Sequence, residues 1–149
     1  IKMKSLIILP FLLSAIFCLN PQMEEMIRTR VKENGLICMS KIGATDGDVA
    51  PLVNHQVPTT EAGKCFLACM YKTEGFIGAD GSINREGSLA AIEPMKDMDQ
   101  DYYLKVKQVM ENCLDKISNG DNECETAVIV HQCVLAEKEN VGLPAIEMD

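Results

Sequence analysis

Residues 124–136 read CETAVIVHQCVLA. From Thr126 onward the run is apolar almost all the way round a helix, and a helix of that kind is buried. Cys124 and Cys133 are nine apart, so on a helix they point to opposite faces. A helix cross-linked on both sides must lie between other helices, near the middle of its domain.

Four further cysteines, Cys38, Cys65, Cys69 and Cys113, precede this segment, and the gaps along the set of six are 26, 3, 43, 10 and 8 residues. Cys65 and Cys69 sit four apart, on nearly the same face of a helix. The seventh cysteine, Cys18, ends a leader: Met3-Lys4 followed by an apolar run from Ser5 to Phe17 has the order of a secretory signal. Ile1 and Lys2 read as residues upstream of a start at Met3. The run is too short for a comfortable membrane span, and Pro21 disfavours a cut after Asn20, so cleavage is placed after Cys18. Residues 1–18 are thus read as signal peptide and residues 19–149 as one domain. Six remaining cysteines in a small secreted chain imply disulfides. They allow 15 pairings, and spacing alone chooses none of them. Zinc is disfavoured by two long gaps, only two histidines and an oxidising compartment.

The chain carries 14 Lys and Arg against 22 Asp and Glu, a net charge of −8, and loss of Lys2 and Lys4 with the leader makes it −10. With no basic patch, neither nucleic acid nor an anionic membrane surface is an expected partner. The acidic surplus reads as solubility at high concentration. No Asn-x-Ser/Thr acceptor occurs.

About six helices are expected. The first runs from Pro21 toward Ile42, with Pro21 at a first helical position and Gly35 kinking it before Cys38. A short second helix follows Asp46 and includes Val49 to Val53. Pro58 and Thr59 open a third, through Cys65 and Cys69 to about Lys72. Gly75, Gly78, Asp80 and Gly81 mark a loop. The fourth covers roughly Arg85 to Met95, and the fifth runs from Asp99 to Ile117. Asn122 with Glu125 resembles a capping box opening the sixth, which reaches about Asn140.

No catalytic constellation emerges. Bridged cysteines leave no thiolate, and neither His55 nor His131 lies in a nucleophile motif. Asp80-x-Ser82-x-Asn84 fails as a calcium loop because Arg85 occupies the glycine position and Ala91 the closing glutamate position. The chain is read as a non-enzyme with no cofactor and no metal. What remains is apolar: nine methionines, Met3 included, no tryptophan, and apolar stripes on the fourth and fifth helices. Methionine lines adaptable hydrophobic sites, and bridges worth ~2–4 kcal/mol each let a small domain tolerate an unfilled interior.

The cysteine spacing, above all Cys65-Phe-Leu-Ala-Cys69 and the 10- and 8-residue gaps to Cys124 and Cys133, resembles that of the insect odorant-binding proteins of the pheromone-binding and general odorant-binding family. The resemblance spans most of the chain after the leader. It implies an all-α fold, six helices around an apolar cavity, and three interlocked bridges: Cys38–Cys69, Cys65–Cys124 and Cys113–Cys133. It also implies reversible carriage of a small hydrophobic molecule through extracellular fluid, such as sensillum lymph, toward an olfactory receptor. The absence of tryptophan and the 16 residues after Cys133 favour a general member over the long-tailed pheromone-binding subgroup.

Under that reading the expected cavity lining is Leu89, Ile92 and Met95, then Val106, Val109 and Met110, then Val128 and Ile129, with Met70, Phe76 and Ile77. Leu143, Ile146 and Met148 could face the ligand from a tail folded over the cavity. Tyr102 or Tyr103 could supply a hydroxyl contact. His131 reads as a core histidine or a pH-sensitive group, and acidification is expected to weaken binding through it or through carboxylates of the tail. The alternatives are a secreted helical signal or inhibitor acting through its surface, and a lipophilic carrier outside olfaction.

Overall fold

Each helix begins where a short polar side chain can satisfy the free N–H groups of a first turn. Asn20 accepts from Gln22 and Met23, and Pro21 starts helix α1, Pro21–Ile42. Thr45 and Asp48 form a reciprocal capping box opening α2, Asp46–Val53. Thr60 accepts from Gly63 at the head of α3, Glu61–Glu74. Asn84 caps α4, Arg85–Ile92, and Asp99 caps α5, Gln100–Lys116. Asn122 accepts from Cys124 and Glu125 at the start of α6, Glu123–Asn140. The stops are equally local. Gly43 and Gly75 close α1 and α3 in the left-handed region, with φ of 74° and 90°.

This computed structural model describes residues 19–148. The expected leader and its cut after Cys18 lie outside the described residues. Among those described, the fold is six α-helices with one 3₁₀ turn, Glu93–Asp97. None of the helices is long and apolar enough to cross a membrane.

Two boundaries, one cap and one kink differ from expectation. The third helix starts two residues later than Thr59, because Thr60 serves as its cap. The fourth ends at Ile92, since Pro94 has no N–H to continue the ladder and the chain tightens to 3₁₀ geometry. The box at Asn122 is half formed: Asn122 accepts from Glu125 N–H, but the Glu125 carboxylate accepts from Lys64 at 2.9 Å. Helix α1 runs unbroken through Gly35, where a kink is expected.

The bridges are Cys38–Cys69, Cys65–Cys124 and Cys113–Cys133. They tie α1 to α3, α3 to α6 and α5 to α6, so α6 does lie between neighbours, as its two-sided cysteines require. Apolar clusters form around the sulfurs. Cys38 and Cys69 pack with Ala44 and Phe66, and Cys124 packs with Leu67, Ala68, Ile77 and Ala127. A third cluster holds Ile92, Tyr103 and Met110. The one buried carboxylate among the described residues, Glu137 on α6, accepts from Lys116 and Asn112 of α5 at 2.6 and 2.9 Å. Those bonds favour the ionised carboxylate and hold its pKa below the usual carboxylate range.

Candidate functional site

Helix α1 crosses α3 beside the Cys38–Cys69 bridge, and α2 lies across the same end of the pair. The three do not fill the space they enclose. A cavity of about 780 Å³ is lined by Val31, Lys32, Gly35, Leu36 and Met39 of α1, and by Val49, Leu52 and Val53 of α2. Helix α3 supplies Phe66, Leu67, Met70 and Tyr71, α6 supplies His131, and the tail supplies Met148. Leu36 and Val53 are 71% and 48% exposed, so the rim itself is apolar.

Gly35 helps create the space. A Cβ built there meets only the Phe66 ring edge, at 3.9 Å, so the missing side chain is left as room over the cavity floor.

Polar groups enter at two places. Lys32 brings an ammonium to the exposed rim. Deeper, the Tyr71 hydroxyl lies 2.9 Å from His131 Nδ1, and His131 Nε2 lies 3.2 Å from the Gln56 carbonyl oxygen. A carbonyl only accepts, so Nε2 carries the imidazole proton and donates it to Gln56. Nδ1 of the neutral ring then accepts the Tyr71 proton. Burial pushes the Tyr71 hydroxyl well above the usual phenol range, so it stays neutral. Burial likewise lowers His131 below 6.5, against the opposing pull of the Gln56 bond.

The tail closes on this region. Lys105 donates to the Gly142 carbonyl at 3.2 Å, and Arg28 Nε donates to the Glu147 carbonyl at 2.8 Å. The Glu147 carboxylate lies 3.8 Å from His55 Nε2. These contacts carry the chain from α5 to α1 and bring Met148 to the cavity wall.

The residues expected to line a cavity divide among several places. Met70 and Met148 reach the large cavity. Phe76, Ile92 and Met95 line a smaller one of about 160 Å³, beside Met26, Ile27 and Val31. Leu89 and Val106 pack against the Ile92–Tyr103–Met110 cluster. Ile77 belongs to the Leu67 cluster, and Val109 and Val128 are buried core. Ile129, Leu143 and Ile146 are half-buried and line neither cavity. The hydroxyl of Tyr103 donates to Glu93 at 2.6 Å. Tyr102 is half-buried, its phenol raised to about 12 by burial and by Asp99 and Glu24.

The lining of α1 and α2, with Phe66, Leu67 and Tyr71, was not anticipated from sequence. Spacings of four from Val31 through Gly35 to Met39, and from Lys32 to Leu36, mark that face of α1. A lysine and a glycine within it weaken the signal.

The six cysteines described are all paired, which leaves no thiolate to act as nucleophile or ligand. The grouping of Glu61 with Cys65 and Cys124 is for that reason no metal site.

The lowered His131 predicts how stability responds to acid. An unfolded chain takes up this proton near 6.5, the folded one only at lower pH, so stability is full above 6.5 and falls as pH drops through the folded value. Chemical denaturation at pH 7 and pH 5 is expected to give a smaller loss for His131→Gln than for the parent. Equal losses would show that His131 does not carry the effect.

The fold has counterparts among known proteins. The model of the PBP/GOBP family matches residues 20–137. General odorant-binding protein 28a of Drosophila melanogaster is 30% identical over 141 residues, which is 90% of this chain and 96% of that one. A solved structure of odorant-binding protein 28a from the same fly aligns with a TM-score of 0.68 at 28% identity, covering 81% of this chain and 99% of the other. The fatty acid binding protein OBP56a from the oral disk of the blowfly Phormia regina shares the fold, with a TM-score of 0.57 at 23% identity over 78% of this chain and 95% of its own. The bridged helices, the apolar cavity and a family match over most of the described residues agree, and the chain belongs to the PBP/GOBP family.

Proposed function

We propose that this protein is an extracellular carrier that takes one small hydrophobic molecule reversibly into the cavity between α1, α2 and α3 and moves it through aqueous fluid toward a receptor. One observation carries the reading: a cavity of about 780 Å³, apolar to its rim, with polar groups only at Lys32 and the Tyr71–His131 pair. Ligand pockets run roughly 300–1,000 Å³ with a few placed polar groups. Binding is driven by removing apolar ligand surface from water. The relatives support a ligand of this class, being named odorant-binding and, for the blowfly protein, fatty acid binding. A leader over residues 1–18 and a binding domain over 19–149 complete the picture, as does the surplus of acidic side chains, which keeps such a carrier dispersed. A catalyst would need an activated nucleophile or base aimed into the cavity, and His131 is instead committed to Tyr71 and Gln56.

The test is fluorescence titration of the oxidised chain with N-phenyl-1-naphthylamine. Saturable uptake near one site per chain is expected, with a dissociation constant on the order of micromolar and displacement by some apolar compounds but not others. Absence of saturable uptake by correctly bridged protein would reject the carrier reading and favour action through the surface.

A further inference from the structure

We propose that Tyr71 reads the ligand's polar group, and reads it as an acceptor: the cavity selects molecules that carry a hydroxyl or other donor over carbonyl compounds of the same skeleton. The inference rests on the carrier reading and deepens it.

Proton accounting fixes the role of each atom in the pair. The Gln56 backbone carbonyl has no proton to give, so the 3.2 Å contact to His131 is made by Nε2–H. A neutral imidazole has one donor and one acceptor nitrogen, so Nδ1 accepts. The partner of Nδ1 is the Tyr71 hydroxyl at 2.9 Å. A phenol has a single proton, and that proton is committed to His131. What Tyr71 can still offer a molecule in the cavity is a lone pair. An alcohol, phenol or amine can donate to it. A ketone, aldehyde or ester cannot, and would exchange its bond to water for no bond at that wall.

The neighbourhood reinforces the arrangement. The Tyr71 ring meets Phe76 edge-on, with centroids 5.6 Å apart, which restricts how far the hydroxyl can swing from His131. The other lining residues are aliphatic, aromatic, glycine or methionine, whose sulfur accepts only weakly, apart from Lys32. Lys32 is a donor, so it could serve a carbonyl, but it stands on α1 at the exposed rim, where water competes for it. The selective element is thus the pair on α3 and α6, two residues 60 apart in sequence.

The experiment displaces N-phenyl-1-naphthylamine with 2-nonanol and with 2-nonanone from the parent, His131→Phe and the double variant Tyr71→Phe/His131→Phe. In the parent the alcohol is expected to compete about tenfold better than the ketone, relative to their ratio in the double variant, where the hydroxyl is gone, no imidazole Nδ1 is left to accept in its place, and only skeleton and solvation remain. The loss in the double variant should fall on the alcohol and leave the ketone unchanged. In His131→Phe the Tyr71 proton is released to turn toward the ligand, so the ketone should gain while the alcohol holds. Both residues line the cavity, so each competitor is referred to the variant's own affinity for the probe, and unchanged far-ultraviolet circular dichroism reports intact folds. If the probe binds but the alcohol-to-ketone ratio is the same in the parent and the double variant, this proposal fails and the carrier reading stands. If the parent does not bind the probe, both fail together.

Discussion

Replacing Cys65 and Cys124 together by alanine is expected to lower the thermal midpoint of the oxidised protein by roughly 15 °C, a loss of about 4 kcal/mol at this chain length. This bridge spans 59 residues, against 31 for Cys38–Cys69 and 20 for Cys113–Cys133. In the chain-entropy account, the longer closed loop restrains the unfolded chain more. The other two bridges shorten the effective loop, but the dependence is logarithmic and the ranking survives. The native state adds a second reason. The bridge joins α3 to α6 inside the cluster of Leu67, Ala68, Ile77 and Ala127, so its loss also leaves a small void among groups packed at close to crystal density. Paired substitution leaves no stray thiol to reshuffle. The matching Cys113/Cys133 pair should cost less, about 3 kcal/mol. Circular dichroism melts of the two double variants decide the matter. A shift of only a degree or two for Cys65/Cys124, or the reverse order, would mean that helix packing alone holds α6 in place.

Much of this architecture could be read from the chain because its determinants are local. Cys124 and Cys133 nine apart require a helix with neighbours on both sides, and α6 has them. Asn122 ahead of α6 and Gly75 behind α3 act within a few residues of the ends they set. The cavity was harder, because an apolar stripe says that a face is covered and not by what. Leu89, Ile92, Met95, Val106 and Met110 form regular stripes on neighbouring segments, and in the fold most of them are spent on one another around Tyr103. The face left uncovered belongs to α1 and α2, where Lys32 and Gly35 interrupt the pattern and where Leu36 would pass for an ordinary exposed residue. Tyr71 and His131 meet only through the packing of α3 on α6, and no short-range spacing announces such a pair.

Gly35 offers the sharpest test of that cavity, because binding and stability should move in opposite directions. Substituting phenylalanine is expected to weaken N-phenyl-1-naphthylamine binding at least tenfold, about 1.4 kcal/mol, while leaving the thermal midpoint unchanged or raised. A core glycine replaced by so large a ring would ordinarily overpack its surroundings and destabilise the fold. Here the space over Gly35 is open, with Phe66 Cζ the nearest atom to a new Cβ at 3.9 Å. The new ring would enter the cavity and could meet Phe66 edge-on, a favoured aromatic geometry. Gly35 also sits inside α1 at ordinary helical φ, so any side chain there removes backbone freedom from the unfolded state, worth a few tenths of a kcal/mol for phenylalanine over glycine. Leucine at the same position should act in the same sense, with a smaller loss of affinity and a larger gain in stability, since it fills less space and favours helix more strongly. A variant that loses binding and stability together would indicate that Gly35 is needed for close packing of α1 on α3. A variant that keeps full affinity would place the bound ligand elsewhere, with the smaller cavity around Phe76, Ile92 and Met95 the next to probe.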